Sequence, residues 1–219
     1  MSLRRVLLFG AALVVLVLVI AQLILPGIAT QDLRDRLAKS GRVLQVEIHA
    51  FPAIELLWND ADRVVVRMDT YSSVPGHLGS LLDQAGGVGT LDASANRLQA
   101  GPLILHQASL RKRGDTLTGT ATVSNTDVQA ALPILSSVSL VSSAGGQLTL
   151  QATASAFGFA ASLQLVVSAQ DGKLVASPNV PFGGLATITL FSNPHLVVQA
   201  LSGSPVPGGF TVTATGRVQ

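Results

Sequence analysis

Short runs in which apolar and polar residues alternate recur along most of the chain, and this pattern restricts the fold more than any other feature. Leu44, Val46 and Ile48 show it first, and we expect their side chains to share one buried face of a strand. Glycine-containing turn signals separate most of these runs, which favours antiparallel hairpins. The predicted strands span residues 42–49, 63–69, 90–98, 103–110, 116–123, 138–142, 147–156, 160–168, 173–176, 186–190, 196–200 and 210–217.

Three short helical segments accompany the predicted strands. The first begins at a capping Thr30 and carries Leu33 and Leu37 on one face. The second spans residues 77–84, and the third is a capped turn over residues 125–132 that ends before a proline. The predicted fold class is therefore α+β and mainly β: a long, curled antiparallel sheet wrapped around short helices.

An apolar run over residues 6–25 follows two arginines and is long enough to cross a bilayer as a transmembrane helix. The arginines favour an inside N-terminus and an extracytoplasmic C-terminal domain held at the cell membrane by a single pass. Small residues ending at Ala29 also fit a signal-peptidase site, and cleavage there would give a secreted domain. We therefore divide the chain into residues 1–29, a membrane anchor or uncleaved signal, and residues 30–219, one exported domain.

Composition narrows the chemistry of the exported part. Two of the 14 lysines and arginines precede the apolar run, which leaves 12 against the 12 aspartates and glutamates, so no nucleic-acid partner is expected. The chain has no cysteine, which excludes disulfides, thiolate metal sites and cysteine nucleophiles. After Val128 the charged residues are Asp171, Lys173 and Arg217, and so sparse a pattern suggests apolar surface that faces something other than water.

Several motifs occur together between residue 41 and the last strand. They are the strand around Val46-Glu47-Ile48, the pair Phe51-Pro52 before a leucine-rich turn, the strand 63–69, the hairpin 105–123, the helical turn 126–132 and Gly208-Gly209. In this combination the chain resembles the actinobacterial LmeA-like phospholipid-binding family of the cell envelope. The resemblance implies a TULIP-like module, in which a single curled sheet holds a phospholipid acyl chain, and binding or transfer without bond chemistry. The chain departs from the family at Ala53, where a second aromatic residue is common.

Two apolar segments and one aromatic pair are candidates for lipid contact. The first segment forms either a pocket lip or a turn that closes the core, and the second lines either an acyl tunnel or an ordinary core. The aromatic pair is either a cavity wall or a plug. The candidates are Phe51, Pro52, Leu56, Leu57 and Trp58 in the first segment, Leu78, Leu81 and Leu82 in the second, and Phe157 with Phe159 as the pair.

Arg111, Lys112 and Arg113 form a basic cluster beside a Gly-Asp turn signal, and either attract an anionic lipid headgroup or form the solvated tip of a hairpin. The four histidines show no metal-ligand spacing, and no Gly-x-Ser-x-Gly nucleophile motif occurs. We therefore expect no enzyme activity, no metal and no cofactor, although residues distant in sequence can meet in a fold.

The sequence thus predicts non-enzymatic phospholipid binding, for transfer or sensing, at the outer face of the cytoplasmic membrane, with the acyl chains in an apolar groove. The alternative is a structural or adaptor domain of the envelope that binds a protein or a wall polymer and holds no lipid. The expected partners are a phospholipid and, through the N-terminal helix, the cytoplasmic membrane. The sequence identifies no protein partner.

Overall fold

A computed structural model describes residues 27, 29–50, 61–73, 88–100, 103–131, 135–156, 159–179, 187–192 and 196–218. Within these ranges the chain is mainly β, and each predicted strand coincides with an observed one. Helix α1 includes residues 29–38, and helix α2 is Asn125–Ala131. The strands are β1 Gly41–His49, β2 Ala61–Ser73, β3 Val88–Ala100, β4 Leu103–Arg113, β5 Thr116–Ser124, β6 Leu135–Ala144, β7 Gln147–Ala156, β8 Phe159–Gln170, β9 Lys173–Pro178, β10 Ile188–Phe191, β11 Leu196–Val206 and β12 Gly209–Val218.

These strands form two sheets rather than the single curled sheet that we expected. The seven-stranded sheet has the order β1-β2-β3-β4-β5-β12-β11, and the five-stranded sheet has the order β10-β9-β8-β7-β6. Neighbouring strands are antiparallel except for β2 and β3, which are parallel. Helix α2 lies between β5 and β6 in the chain. β5 pairs with β12 of the seven-stranded sheet, and β6 begins the five-stranded sheet. The prediction of one sheet is wrong because local turn signals do not specify pairing between distant strands.

The predicted hairpin turns are confirmed. Asp171 and Gly172 have φ angles of 50° and 75°, and Gly145 and Gly146 have 60° and 76°. Two consecutive residues with positive φ give the turn whose twist matches that of antiparallel strands, and glycine adopts this conformation without a steric cost. These turns join β8 to β9 and β6 to β7.

The five-stranded sheet packs on one end of the seven-stranded sheet. Leu148 of β7 and Leu201 of β11 share a hydrophobic cluster there, and both are almost completely buried. The turns described above also bind the edge of β11, since the Leu201 amide donates to the Gly146 carbonyl and the Val198 amide donates to the Gly172 carbonyl, each at 2.9 Å. These bonds satisfy backbone groups that an edge strand otherwise leaves exposed.

Helix α1 covers the other end of the seven-stranded sheet. Leu37 is buried in a cluster with Val46 and Met68, and Leu33 packs against that cluster, as the helical spacing predicted. We expected Thr30 to be the N-terminal cap of this helix. That prediction is wrong, because Thr30 already lies within the helix. In the part of the chain that the structure describes, no helix has the length and apolar character needed to cross a membrane. The predicted span and the predicted helix 77–84 both lie outside the described residues.

One prediction of which side chains face the core is wrong. Leu44 is 51% exposed, whereas Val43, Val46 and Ile48 belong to the α1 cluster. The pairing of β1 with β2 is irregular on both sides of Val43. Because an irregularity of one residue moves the following side chains to the opposite face, Val43 takes the inward position that strict alternation assigns to Leu44.

Candidate functional site

An irregularity like that in β1 continues across the next three strands of the seven-stranded sheet. Asp69 in β2, Asn96 in β3 and Gln107 in β4 each fall between residues that are paired in register. Gln107 has a φ angle of 49°, in the left-handed region that residues other than glycine rarely adopt, and the pairing of β4 with β5 shifts at the same place. The irregular residues therefore lie in a row across the sheet.

The apolar face of the sheet continues through this row. Met68 and Tyr71 in β2 belong to the α1 cluster, and Ala95 and Leu98 in β3 pack on it. The members of each pair are three positions apart, which in an unbroken strand would place them on opposite faces. The irregular residue between them corrects the alternation, so one face of the sheet stays apolar along its length.

On this face, side chains of β3 and β4 form an apolar surface that we call the aliphatic trough. Ala95 lies opposite Ala108 at its centre, and Leu98 lies opposite Leu105 at one end. Apart from Ala108, these side chains are only partly buried. Leu98 packs on the α1 cluster, whereas Leu105 packs on a second cluster that includes residues of the five-stranded sheet. The aliphatic trough consists of Leu91, Ala93, Ala95, Leu98, Leu105, Ala108 and Leu110.

The opposite face of the same strands carries a polar cleft of about 370 Å³. Arg97 and His106 are paired in register, and each is the sequence neighbour of one of the opposed leucines, Leu98 and Leu105. Since adjacent residues of a strand point to opposite faces, the cleft and the trough lie back to back. The residues that line the cleft are Asp69, Thr70, Asn96, Arg97 and His106.

His106 is fixed by the first turn of α2. Its Nε2 atom lies 2.7 Å from Oδ2 of Asp127, and the Ser124 hydroxyl donates a hydrogen bond to the same oxygen. The Asp127 amide in turn donates to the Ser124 hydroxyl at 3.1 Å, which makes Ser124 the N-terminal cap of α2. The hydrogen bonds from Ser124 and then His106 lower the pKa of Asp127, against the opposing effect of burial. The carboxylate is thus held in its charged form.

The three side chains do not have the geometry of a hydrolytic triad. In such a triad the imidazole lies between the serine hydroxyl and the carboxylate and takes the hydroxyl proton. Here the Asp127 carboxylate lies between Ser124 and His106, so the hydroxyl bonds to the carboxylate and not to the ring. The arrangement ties α2 to β4 and orients the imidazole.

A second charged group lies on the polar face, farther along β3. The Arg67 guanidinium donates to both carboxylate oxygens of Asp92, at 3.2 and 3.0 Å, and to the Asp92 carbonyl at 2.8 Å. These hydrogen bonds lower the pKa of Asp92, against the effect of burial. Arg111 is 3.9 Å from the same carboxylate. Arg67 and Asp92 therefore form an ion pair with each other.

The basic cluster predicted from the sequence is divided between the two faces. Arg111 and Arg113 are exposed, whereas Lys112 is 4% exposed and lies on the apolar face, opposite Leu91 at the end of the trough. Its ammonium group donates to the Val88 carbonyl at 2.6 Å, and burial lowers its pKa. The three residues therefore do not form one basic patch.

The other predicted site residues are not placed by the structure. The lipid candidates in residues 51–58 and 78–82, together with Phe157, lie outside the described residues, and of Phe159 only the backbone, at the start of β8, is described. In the described ranges no group of three or more histidine, aspartate or glutamate side chains could hold a metal ion. The candidate surfaces in the described chain are the aliphatic trough and the polar cleft.

Sequence reasoning missed both surfaces. The sequence predicted a capped helical turn over residues 125–132, but nothing local indicated that His106 would reach it from another strand. The trough was hidden because Ala95 and Leu98 look like residues of opposite faces until the irregularity at Asn96 is known. Comparison of the chain with known proteins finds no matching family model, no matching characterised protein and no matching solved structure.

Proposed function

We propose that this chain binds a phospholipid, without bond chemistry, with an acyl chain lying along the aliphatic trough. The observation that carries the proposal is a continuous apolar face whose central side chains on β3 and β4 stay partly exposed. Ordinary cores bury such residues, and a partly exposed aliphatic surface is typical of a site for an apolar partner.

The side chains that form the trough support an acyl chain as the ligand. The centre of the trough is formed by alanines and leucines border both ends, so the side chains that form it are aliphatic. Each methylene that leaves water for such a surface contributes about 0.8 kcal/mol, so an ordinary acyl chain needs only part of its length in contact. Lys112 lies at the end of the trough, where its buried ammonium group donates to the Val88 carbonyl, so we assign no headgroup contact to it.

The cellular setting is part of the same proposal. The apolar run at residues 6–25 supports attachment to the cytoplasmic membrane with the folded domain outside it, where phospholipid is at hand. The motifs that resemble the LmeA-like family support a TULIP-like mode of binding, in which the sheet covers the acyl chain. In that mode the protein carries or senses the lipid.

A second candidate is an envelope adaptor that binds a wall polymer. The polar face of β5 and β12 favours it, because threonines oppose one another there in regular rows. Thr120 and Thr213 are hydrogen-bonded at 3.1 Å, and Thr122 and Thr211 at 3.3 Å. A neutral hydroxyl surface of this kind is suited to a polyhydroxylated ligand, and it would need no lipid in the trough.

Two substitutions in neighbouring positions separate these candidates. Ala95→Leu fills the trough, and Ser94→Leu adds the same side chain on the opposite face of β3. The full-length variants would be purified in a nonionic detergent and compared by native mass spectrometry and lipid extraction. Both keep residues 1–29, so any lipid held by that segment is common to the two samples.

We expect Ala95→Leu to lower the retained phospholipid about tenfold, since displacing roughly two methylenes costs about 1.6 kcal/mol. Ser94→Leu should retain lipid like the unaltered chain. Equal retention by the two variants would contradict acyl binding in the trough. Loss of binding to isolated wall polymer in Ser94→Leu or Thr120→Asn, with lipid unchanged throughout, would favour the adaptor.

A further inference from the structure

Two acidic groups lie in or beside the polar cleft, and each already has partners. Asp69 accepts a hydrogen bond from Asn96 at 3.1 Å and lies 3.9 Å from the Arg42 guanidinium. Asp127, beside the cleft, is bonded to His106 and Ser124. Both carboxylates therefore have partners other than Arg97.

The Arg97 guanidinium differs from these two carboxylates in its partners. Among the described residues no carboxylate forms an ion pair with it, although its charge contributes to the low pKa of Asp127. It is exposed, and its partner across the β3–β4 ladder is His106. A guanidinium can thus meet a ligand beside an imidazole that a carboxylate holds in place.

This combination fits a phosphate group better than other small anions or cations. A guanidinium offers parallel N–H donors that match two oxygens of a phosphate, and an adjacent imidazole can donate to a third oxygen or exchange a proton with it. Thr70 and Asn96 add neutral polar groups to the lining of the cleft. The volume of about 370 Å³ is within the range of small-molecule sites.

We propose that the polar cleft binds the phosphate group of a small phosphate ester, with Arg97 and His106 as the ligand-contacting side chains and Asp127 as the residue that positions His106. The inference goes beyond lipid binding in the trough, because the two surfaces lie on opposite faces of the sheet. The phosphate belongs either to a soluble ester or to the headgroup of a lipid outside the trough, and the experiment below distinguishes them.

The test follows the side-chain NMR signals of Arg97 and His106 in the full-length chain in nonionic detergent. One titration uses glycerol 3-phosphate, and a parallel titration uses short-chain dihexanoyl phosphatidylglycerol. Two variants each remove one positive charge. Arg97→Gln removes it from the cleft, and Arg113→Gln removes it from the exposed end of β4. Asp127→Asn tests the positioning of His106, and its thermal unfolding shows whether it is folded.

We expect saturable shifts at both signals and an affinity about tenfold lower in Arg97→Gln, as for loss of a charge-assisted hydrogen bond. Arg113→Gln should change the affinity less than about twofold, because exposed charges away from the site act weakly. Folded Asp127→Asn should keep the Arg97 response and lose most of the His106 response. Shifts with glycerol 3-phosphate support a soluble ester, and shifts with the lipid alone support a headgroup.

No shift with either probe would overturn the proposal, and so would equal weakening in Arg97→Gln and Arg113→Gln. Lipid in the trough is measured separately by retention in Ala95→Leu, and Arg97→Gln should leave that retention unchanged. Failure of the phosphate site and failure of the trough therefore give different results.

Discussion

Replacing Leu148 with alanine should destabilise the protein far more than replacing Leu44, although we expected the Leu44 side chain to face inward. Leu148 is 2% exposed between the two sheets, whereas Leu44 is 51% exposed on the edge strand β1. Removal of three Leu148 side-chain carbons, each equivalent to about one methylene, costs about 2.4 kcal/mol in transfer free energy. The enclosed cavity raises the expected loss in free energy of unfolding to about 3–4 kcal/mol.

At Leu44 the side chain is already half in water, and its removal leaves no enclosed cavity. The expected loss there is about 1 kcal/mol or less. Urea unfolding followed by circular dichroism measures both losses, provided that the slope with urea concentration is the same in the variants. A loss at Leu44 that approaches the loss at Leu148 would refute the irregular register of β1.

Two further predictions concern the charged cap and the glycines of the seven-stranded sheet. Ser124 and His106 lower the pKa of Asp127 in the folded state. The charged Asp127 carboxylate should therefore stabilise the folded protein above the unfolded pKa of about 3.9, and this stabilisation should be lost as the pH falls through the lower folded pKa. Unfolding measured between about pH 2 and 6 should therefore depend less on pH in Asp127→Asn, and an unchanged profile would contradict the bonding described. Gly203→Ala should lower the melting temperature, because the added Cβ would lie 2.8 Å from a carbonyl oxygen of β12. Gly119→Ala should leave the melting temperature unchanged or raise it, because the nearest atom to its Cβ is at an ordinary distance of 3.6 Å.

Local patterns predicted the elements of this fold well because their causes are local. Alternation located the strands, and Asp171-Gly172 predicted a hairpin because a glycine there tolerates positive φ. The spacing of Leu33 and Leu37 predicted the buried face of α1. Each of these features depends on residues that are close together in the chain.

What the sequence did not predict depends on residues that are far apart. The pairing of β5 with β12 divides the strands into two sheets, and no local signal specifies it. The irregular positions at Asp69 and Asn96 arise in pairing between strands, so the continuity of the apolar face was invisible. The contact of His106 with Asp127 likewise depends on how α2 leaves the sheet.

The most direct test of lipid binding is photolabelling of the full-length chain with a phospholipid that carries a diazirine in its acyl chain. Peptide mapping by mass spectrometry would then locate the labelled residues. We expect labels in β3 and β4 at Leu91, Leu98, Leu105 and Leu110, and a loss of these labels in Ala95→Leu. Labels confined to residues 1–29, or equally frequent on the threonine rows of β5 and β12, would contradict an acyl chain in the trough.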